Sequence, residues 1–358
     1  MSSSVGASRP PRRTALLVGI NYRGTENELN GCYNDVVNVS QYLRSVLGYA
    51  PGAISVLTDG NRGSAFPASV APTRQNILAG MAALVAGMVA GDEAVFHYSG
   101  HGTLVRDTNG DEATGLDSCL CPLDYNAPAS TGGGVVTDDE IRALLVNKVP
   151  RGARLYLILD CCHNGTGCDI RFKYEDFSVL LRPPSARTAP LWRTQQKAFA
   201  DGKYTETAGE VYMISGCRDE QTSADAYINN AFAGALTYAV FAILRANQAS
   251  IRGYSWSSLL RDVRYFMRVN RYSQIPQLMT GQLITPARAV FAVAAAVAGA
   301  RGGSALELSS GASGAIGVGG AGARGVSASD APVTLFSFSI KPKSGSKPTP
   351  RHCIQFLV

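Results

Sequence analysis

The sequence has no apolar run long enough to cross a membrane. The apolar stretch at 289–300 of this 358-residue chain has about twelve residues, whereas a membrane-spanning helix needs roughly 20. The first 13 residues are Ser-rich and basic, but they lack the apolar core of a secretory signal, and Pro10-Pro11 would interrupt a targeting helix. We therefore expect a cytoplasmic protein with no membrane span.

A dense basic block is also missing. The chain has 33 basic and 27 acidic residues, a formal net charge of +6, and this modest excess does not indicate a nucleic-acid partner. With 46% hydrophobic residues, a chain of this length can bury a sizeable core. We expect one enzyme domain followed by a tail.

The eight cysteines lack the pattern of a disulfide framework or of a structural metal site. Without a secretory leader, they favour a reducing compartment. No pair has the repeated C-x2–4-C spacing of structural zinc sites. Zinc remains an alternative because enough ligands are present in Cys119, Cys121, Cys161, Cys162, His163 and Cys168.

What the sequence does contain is a short apolar run that ends in reactive side chains. Residues 155–159 are apolar or aromatic and are followed by Asp160, Cys161, Cys162 and His163. Such a run is too short for a helix and predicts a buried strand that presents chemistry at its end. We interpret Cys162 as a nucleophile, with Cys161 as its rival; the alternative is a small buried apolar residue.

A thiol with a pKa near 8.5 needs a base beside it, and the chain has only four histidines. His101 lies between two glycines at the end of a second apolar strand, 61 residues before Cys162. The ends of parallel strands meet at one edge of a sheet, so the two side chains can face each other. His97 is possible on spacing alone, but it lies within the strand, where we expect it to pack.

Strands and helices alternate along the chain, which predicts an α/β domain with a mainly parallel central sheet flanked by helices on both faces. The predicted strands are 14–20, 54–58, 94–97, 155–159, 210–215 and one near 289–293. The predicted helices begin at Asn34 or Asp35, at Thr73, at Thr137 with Glu140 as a capping box, at Phe232 and at Trp256.

Three segments do not fit this alternation. Residues 1–13 form a short N-terminal extension to a domain spanning 14–292. Periodicity fails over about 171–209, which predicts a mobile basic loop. Residues 293–358 are rich in Gly, Ala and Ser, and such a composition predicts a disordered tail.

The segments Tyr98-Ser99-Gly100-His101-Gly102 and Asp160-Cys161-Cys162-His163-Asn164-Gly165 together resemble the histidine and cysteine motifs of the metacaspases. These are cysteine peptidases of the caspase-like clan, and the likeness is to type I and kinetoplastid members. The resemblance covers about 14–292. It implies a caspase-like fold and endopeptidase activity through a His101–Cys162 dyad, because the family nucleophile directly precedes a histidine.

Two carboxylates, Asp35 and Asp160, are expected near the thiol, where they would select a basic side chain. A helix cap for Asp35 and a structural hydrogen bond for Asp160 explain them equally well. The resemblance implies that Cys32, Asp35, Ser99 and Asp160 line the first specificity pocket. It thus implies protein or peptide substrates cleaved after Arg or Lys.

A second acidic set has the oxygen donors that Ca²⁺ requires, although its spacing is not that of an EF-hand. A solvated acidic surface is the alternative. The resemblance implies an activating calcium site, without an organic cofactor, formed by Asp117, Asp138, Asp139 and Asp169. The chain departs from the family at Ser118, where an acidic residue is usual, and this departure bears on calcium affinity.

The basic segment 182–203 offers the expected enzyme its own preferred residues, which predicts self-cleavage there. By analogy with the family we expect a monomer. Two other function classes remain. One is a catalytically silent regulator that keeps the fold and binds proteins. The other is a redox sensor using Cys161 and Cys162, although adjacent cysteines form strained disulfides.

Overall fold

The computed structural model describes residues 9–60, 65–66, 69–110, 115–162, 168, 170–176, 192–196, 206–217, 224–228, 231–248, 254–285, 287–291 and 349–350. His163, Asp169, most of the predicted basic loop and the predicted tail, apart from 349–350, lie outside these ranges.

The strands are β1 (Arg13–Gly19), β2 (Ile54–Thr58), β3 (Glu93–Ser99), β4 (Gly102–Arg106), β5 (Leu116–Leu120), β6 (Val136–Thr137), β7 (Arg154–Asp160), β8 (Phe172–Asp176), β9 (Trp192–Gln196), β10 (Glu210–Ser215), β11 (Ala224–Ile228), β12 (Ala231–Gly234), β13 (Gln277–Thr280) and β14 (Thr349–Pro350). The α-helices are α1 (Cys32–Ser45), α2 (Arg74–Val85), α3 (Asp138–Leu144), α4 (Ala235–Ala246) and α5 (Trp256–Val269).

The central sheet has the strand order β2-β1-β3-β7-β10-β13-β8-β9. The first five strands in that order pair in parallel with their neighbours. The last three, β13, β8 and β9, each pair antiparallel with the strand before them. Gly19, Ser99 and Asp160 lie in one register row, so β1, β3 and β7 end together. The predicted mainly parallel sheet is confirmed, and its carboxyl edge carries the two motif segments.

Helices cover both faces of the sheet. Phe96 and Tyr98 of β3 belong to the main hydrophobic core together with Met81 of α2 and Ile141 of α3. His97 points to the opposite face, because neighbouring residues of a strand alternate, and there α1 packs on α4 and α4 packs on α5. None of the helices in these ranges has the length and apolar character that a bilayer crossing requires.

Three predicted helix starts are confirmed, and α5 begins at Trp256 as predicted. The Thr73 hydroxyl accepts the Asn76 N–H at the start of α2. At α3, Thr137 and Glu140 exchange side-chain and backbone hydrogen bonds as a capping box. Both caps depend on residues three apart, a local pattern that sequence shows directly.

Two other predicted starts are wrong. Helix α1 begins at Cys32 after Gly31, so neither Asn34 nor Asp35 is its cap. Asp35 instead lies in the first turn, with its carboxylate bonded to residues distant in sequence. Phe232 belongs to β12, which pairs with β11, and α4 begins only at Ala235.

The predicted loop at 171–209 contains strands β8 and β9, which form the antiparallel edge of the central sheet. That part of the prediction is wrong because the pairing of β8 with β13 and β9 is decided by tertiary context and needs little regular apolar alternation in the sequence. The strand predicted near 289–293 is reduced to one bridge between Ala289 and Ser255 within the described residues. The chain after His101 also forms a small sheet, β4-β5-β6, that the polar sequence did not predict.

Candidate active site

His101 and Cys162 follow two neighbouring parallel strands at the same edge of the sheet. Beyond the last register pair, Ser99 and Asp160, the Gly100 N–H donates to the Asp160 carbonyl at 3.4 Å. A Cβ atom added at Gly102 would overlap the Cys162 carbonyl oxygen. The two motif segments are therefore in van der Waals contact, and both side chains are buried.

The two adjacent cysteines have different surroundings. Cys161 belongs to the main hydrophobic core with Tyr98 and Cys121, whereas Cys162, although fully buried, is not part of that core. This difference agrees with adjacent side chains pointing to opposite sides of an extended segment. Cys161 is accounted for by packing, and Cys162 lies on the side away from it.

The His101 ring is held by the loop that follows β1. Its Nε2 atom lies 2.8 Å from the Asn27 carbonyl oxygen. Because a carbonyl only accepts, this contact assigns the proton of the neutral ring to Nε2 and the lone pair to Nδ1. The Tyr22 ring packs against the imidazole with 4.7 Å between ring centroids. No sequence pattern indicates Asn27, since its contribution is a main-chain carbonyl.

The four residues expected to form a specificity pocket come from three elements. Cys32 and Asp35 lie one turn apart on α1, and Ser99 and Asp160 are register partners on β3 and β7. All four are fully buried. The Ser99 hydroxyl donates to Asp35 at 2.5 Å, so three elements place two carboxylates and a hydroxyl together beside the motif segments.

The start of α4 supplies further hydrogen bonds to these carboxylates. The Gly234 N–H lies 3.0 Å from both carboxylate oxygens of Asp35, and the Thr237 N–H donates to Asp160 at 2.8 Å. The Thr237 hydroxyl lies 3.2 Å from Nε2 of His97, which is buried as expected. Sequence reasoning missed Gly234 and Thr237, because peptide N–H groups at a helix start carry no motif.

The acidic residues expected to bind calcium are only partly within the described ranges. The Asp138 carboxylate accepts the N–H groups of Ser118 and Asp139, both at 3.1 Å. The Asp139 carboxylate accepts the Asn109 side-chain amide at 2.6 Å. Asp117 and Asp138 are buried, and Asp169 lies outside the described residues.

Within the ranges that the structure covers, no three His, Cys, Asp or Glu side chains are grouped so that they could hold a metal ion. The donor chemistry of the acidic set fits Ca²⁺, but two peptide N–H groups already occupy Asp138. The seven cysteines in these ranges are buried. Burial, followed by the nearby Asp138 carboxylate, raises the pKa of Cys119, and burial raises that of Cys121.

Comparison with known proteins places these features in one family. Residues 13–171 match the metacaspase, peptidase C14 domain. The chain is 37% identical to Metacaspase-1 of Pyricularia oryzae over 295 residues, which are 75% of this chain and 71% of that protein. It is 35% identical to Metacaspase-1 of Yarrowia lipolytica over 75% of this chain, and it spans 61% of that relative's length.

The fold also resembles that of a solved structure. A crystal structure of a protein from Geobacter sulfurreducens aligns with 77% of this chain and 96% of its own, with a TM-score of 0.51 and 24% sequence identity. At that identity the likeness concerns the fold alone.

Proposed function

Because this chain belongs to the metacaspase family of caspase-like cysteine peptidases, we propose that it hydrolyses peptide bonds after arginine or lysine with a Cys162–His101 dyad. The observation that carries this proposal is the contact between Gly102 and the Cys162 main chain at the carboxyl edge of the sheet. It brings the main chain next to His101, the only glycine-flanked histidine in the sequence, beside the main chain of Cys162.

In the proposed reaction, His101 Nδ1 takes the thiol proton as the Cys162 sulfur attacks the scissile carbonyl carbon. Collapse of the tetrahedral intermediate breaks the C–N bond, and the imidazolium returns the proton to the leaving amine. A water molecule, deprotonated by His101, then hydrolyses the thioester and regenerates the thiol. The Asn27 carbonyl supports both steps because it accepts the Nε2–H and stabilises the imidazolium.

The specificity proposal rests on Asp35, Ser99 and Asp160. Two buried carboxylates at the end of the nucleophile strand would attract a guanidinium or ammonium group and repel an acidic side chain. The Ser99 hydroxyl and the α4 N–H groups orient the carboxylates but bring no formal positive charge. The proposed substrates are therefore proteins or peptides with Arg or Lys at the cleavage site.

We further propose calcium as an activator held by Asp117, Asp138, Asp139 and Asp169. When bound, the ion would neutralise an acidic set of which two members are buried. Self-cleavage within 182–203 and a monomeric state are additional expectations. An unchanged band on a denaturing gel after incubation with Ca²⁺ would contradict self-cleavage.

The test is hydrolysis of fluorogenic peptides ending in Arg, Lys or Asp, with Ca²⁺ or a chelator. We expect calcium-dependent cleavage after Arg and Lys that is lost in Cys162→Ala and kept in the neighbouring Cys161→Ala. Cleavage after Asp would contradict the pocket assignment. Silence of the folded parent under every condition would favour the non-catalytic regulator.

A further inference from the structure

The main chain of His101 extends the antiparallel ladder of β4 and β5 by one pair. Gly102 pairs with Leu120, and in the next pair the Cys121 N–H donates to the His101 carbonyl at 3.1 Å. In a regular antiparallel ladder such a pair would exchange a second bond, from the His101 N–H to the Cys121 carbonyl.

A tyrosine hydroxyl replaces that second bond. The His101 N–H donates to the Tyr22 hydroxyl at 3.0 Å, and the Tyr22 hydroxyl donates to the Cys121 carbonyl at 2.5 Å. The Tyr22 hydroxyl is therefore inserted into the ladder. It holds the main chains of His101 and Cys121 apart at the end of the β4–β5 pair. The insertion satisfies both buried main-chain groups, which makes the open geometry stable.

A second tyrosine completes the arrangement. The Tyr98 hydroxyl lies 2.9 Å from the carbonyl oxygens of His101 and Cys121 and 3.1 Å from the Tyr22 hydroxyl. Burial raises the pKa of both tyrosines well above its usual value. A Cβ atom at Gly100 would lie 2.7 Å from the Tyr98 hydroxyl and 3.0 Å from the Tyr22 hydroxyl, so the pair needs glycine there.

Tyr22 also contacts the His101 side chain. Its ring lies against the imidazole, and the loop that it begins supplies the Asn27 carbonyl to Nε2. Its own backbone has φ of 51°, in the left-handed region that a bulky residue rarely adopts. Such a conformation persists only where surrounding contacts determine it.

We infer that Tyr22 is a positioning residue for the proposed base: its hydroxyl, inserted between the His101 N–H and the Cys121 carbonyl, sets the position of the imidazole relative to Cys162. This inference rests on the proposed function, because it assigns His101 the role of base. Without the hydroxyl, direct bonding of the two main-chain groups would require them to approach by about 2 Å. A displacement of about 1 Å can cost roughly 100-fold in rate.

The test compares Tyr22→Phe with Tyr42→Phe. Tyr42 is equally buried, and its hydroxyl has no hydrogen-bond partner within the described ranges. For each variant we would measure kcat, KM, the midpoint of thermal unfolding and the rate at which iodoacetamide alkylates Cys162, followed by mass spectrometry. We expect kcat of Tyr22→Phe to fall about 10- to 100-fold with KM within twofold of the parent. Alkylation should slow in parallel, and Tyr42→Phe should match the parent.

Tyr98→Phe is the second variant, for use if Tyr22→Phe does not fold. It leaves the inserted hydroxyl in place, and the Cys121 N–H still bonds the His101 carbonyl, so we expect a loss in kcat below about fivefold. A loss in kcat larger than fivefold overturns the inference, since it would show that the contact between the Tyr98 hydroxyl and the His101 carbonyl positions the imidazole. A smaller loss supports it.

The inference and the proposed function fail separately. If the parent cleaves no peptide, the proposed function fails, but alkylation of Cys162 still reports whether Tyr22 controls the contact with His101. Unchanged alkylation in Tyr22→Phe, or a kcat within twofold of the parent, overturns the inference. If Tyr22→Phe and Tyr42→Phe lose the same amount of kcat and of alkylation rate, the inference is also overturned, because equal losses would indicate general destabilisation.

Discussion

Asp35 and Asp160 are buried carboxylates whose cost of burial is offset by hydrogen bonds from distant parts of the chain. Asp35 accepts the Ser99 hydroxyl and the Gly234 N–H. Asp160 accepts the Thr237 N–H in the first turn of α4, where the helix dipole favours negative charge. The start of this helix therefore stabilises the charge that the proposed substrate would meet.

The charge of Asp160 can be tested by Asp160→Asn, which keeps size and shape. We expect KM for Arg and Lys peptides to rise roughly tenfold or more, because the amide loses the charge-assisted bond to the substrate cation. Alkylation of Cys162 should stay at the parental rate, since the dyad is unchanged. An unchanged KM would remove Asp160 from the pocket. Asp92→Asn, at the opposite edge of the sheet, is the control for the substitution itself.

At the scale of elements, the approach of β3 to β7 depends on glycine. Gly102 lies so close to the Cys162 main chain that any side chain would displace one of the two segments. Gly102 in the histidine motif therefore has a steric role between the two motif segments.

We predict that Gly102→Ala lowers kcat more than 100-fold, since even about 1 Å of displacement can cost that much. Gly52→Ala is the matched control, because a Cβ there meets no atom within 4 Å. Activity and thermal unfolding should be measured together for both variants. A fully active Gly102→Ala protein would show that the segments separate without affecting the chemistry.

The capping box of α3 carries two proposed calcium ligands, Asp138 and Asp139. Thr137→Ala should lower the free energy of unfolding by about 1 kcal/mol, the usual value for a lost cap. If these aspartates bind calcium, it should also raise the Ca²⁺ concentration for half-maximal activity. Thr73→Ala removes the equivalent cap from α2, so it should destabilise the protein similarly without changing the calcium requirement. Equal calcium responses in both variants would argue against the proposed site.

At the scale of the whole molecule, a row of ion pairs lies at the edge of the sheet opposite the proposed active site. Arg13, Glu93, Arg154 and Glu210 form one cross-strand row at the amino edge, with N–O distances of 3.2 to 3.3 Å. Arg288 extends the row by bonding Glu210. These alternating positive and negative side chains link β1, β3, β7 and β10 at the edge opposite the proposed active site. They help to keep the strands in register, and the proposed site at the other edge depends on that register.

Beside this row, the Asp92 carboxylate accepts hydrogen bonds from the Arg9 guanidinium and from the N–H groups of Arg12 and Val89. The Arg9 side chain is the main cause that holds the pKa of Asp92 well below its usual value. A depressed pKa in the folded state contributes stability above the unfolded-state pKa of about 4, and that contribution is lost as the pH falls.

We therefore predict that Asp92→Asn lowers the free energy of unfolding at pH 7, because the neutral amide cannot replace the carboxylate charge that the Arg9 guanidinium bonds. The difference from the parent should shrink between pH 5 and about pH 2 in urea unfolding. Glu93→Gln is the contrasting variant. Burial, only partly offset by Arg13 and Arg154, raises the pKa of Glu93, so its ionised form costs stability at pH 7. Glu93→Gln should therefore be at least as stable as the parent at pH 7 and lose this advantage as the pH falls, opposite in sign to Asp92→Asn. Parallel pH profiles for the two variants would contradict this account.

The sequence by itself determined the α/β sheet and the placement of both motif segments. Apolar runs such as 155–159 and caps such as Thr73 and Thr137 act within a few residues, so periodicity and spacing reveal them. Two strands that end in motifs and pair in parallel must present those motifs at one edge.

Only the tertiary structure decided what surrounds each functional side chain. Tyr22 reaches His101 across 79 residues, and Gly234 reaches Asp35 across 199. Bonds between a hydroxyl or a peptide N–H and a group so far away leave no periodicity and need no particular motif. For the same reason the sequence pattern predicted Asp35 as a possible helix cap. In the folded chain its carboxylate instead accepts hydrogen bonds from Ser99 and from the start of α4.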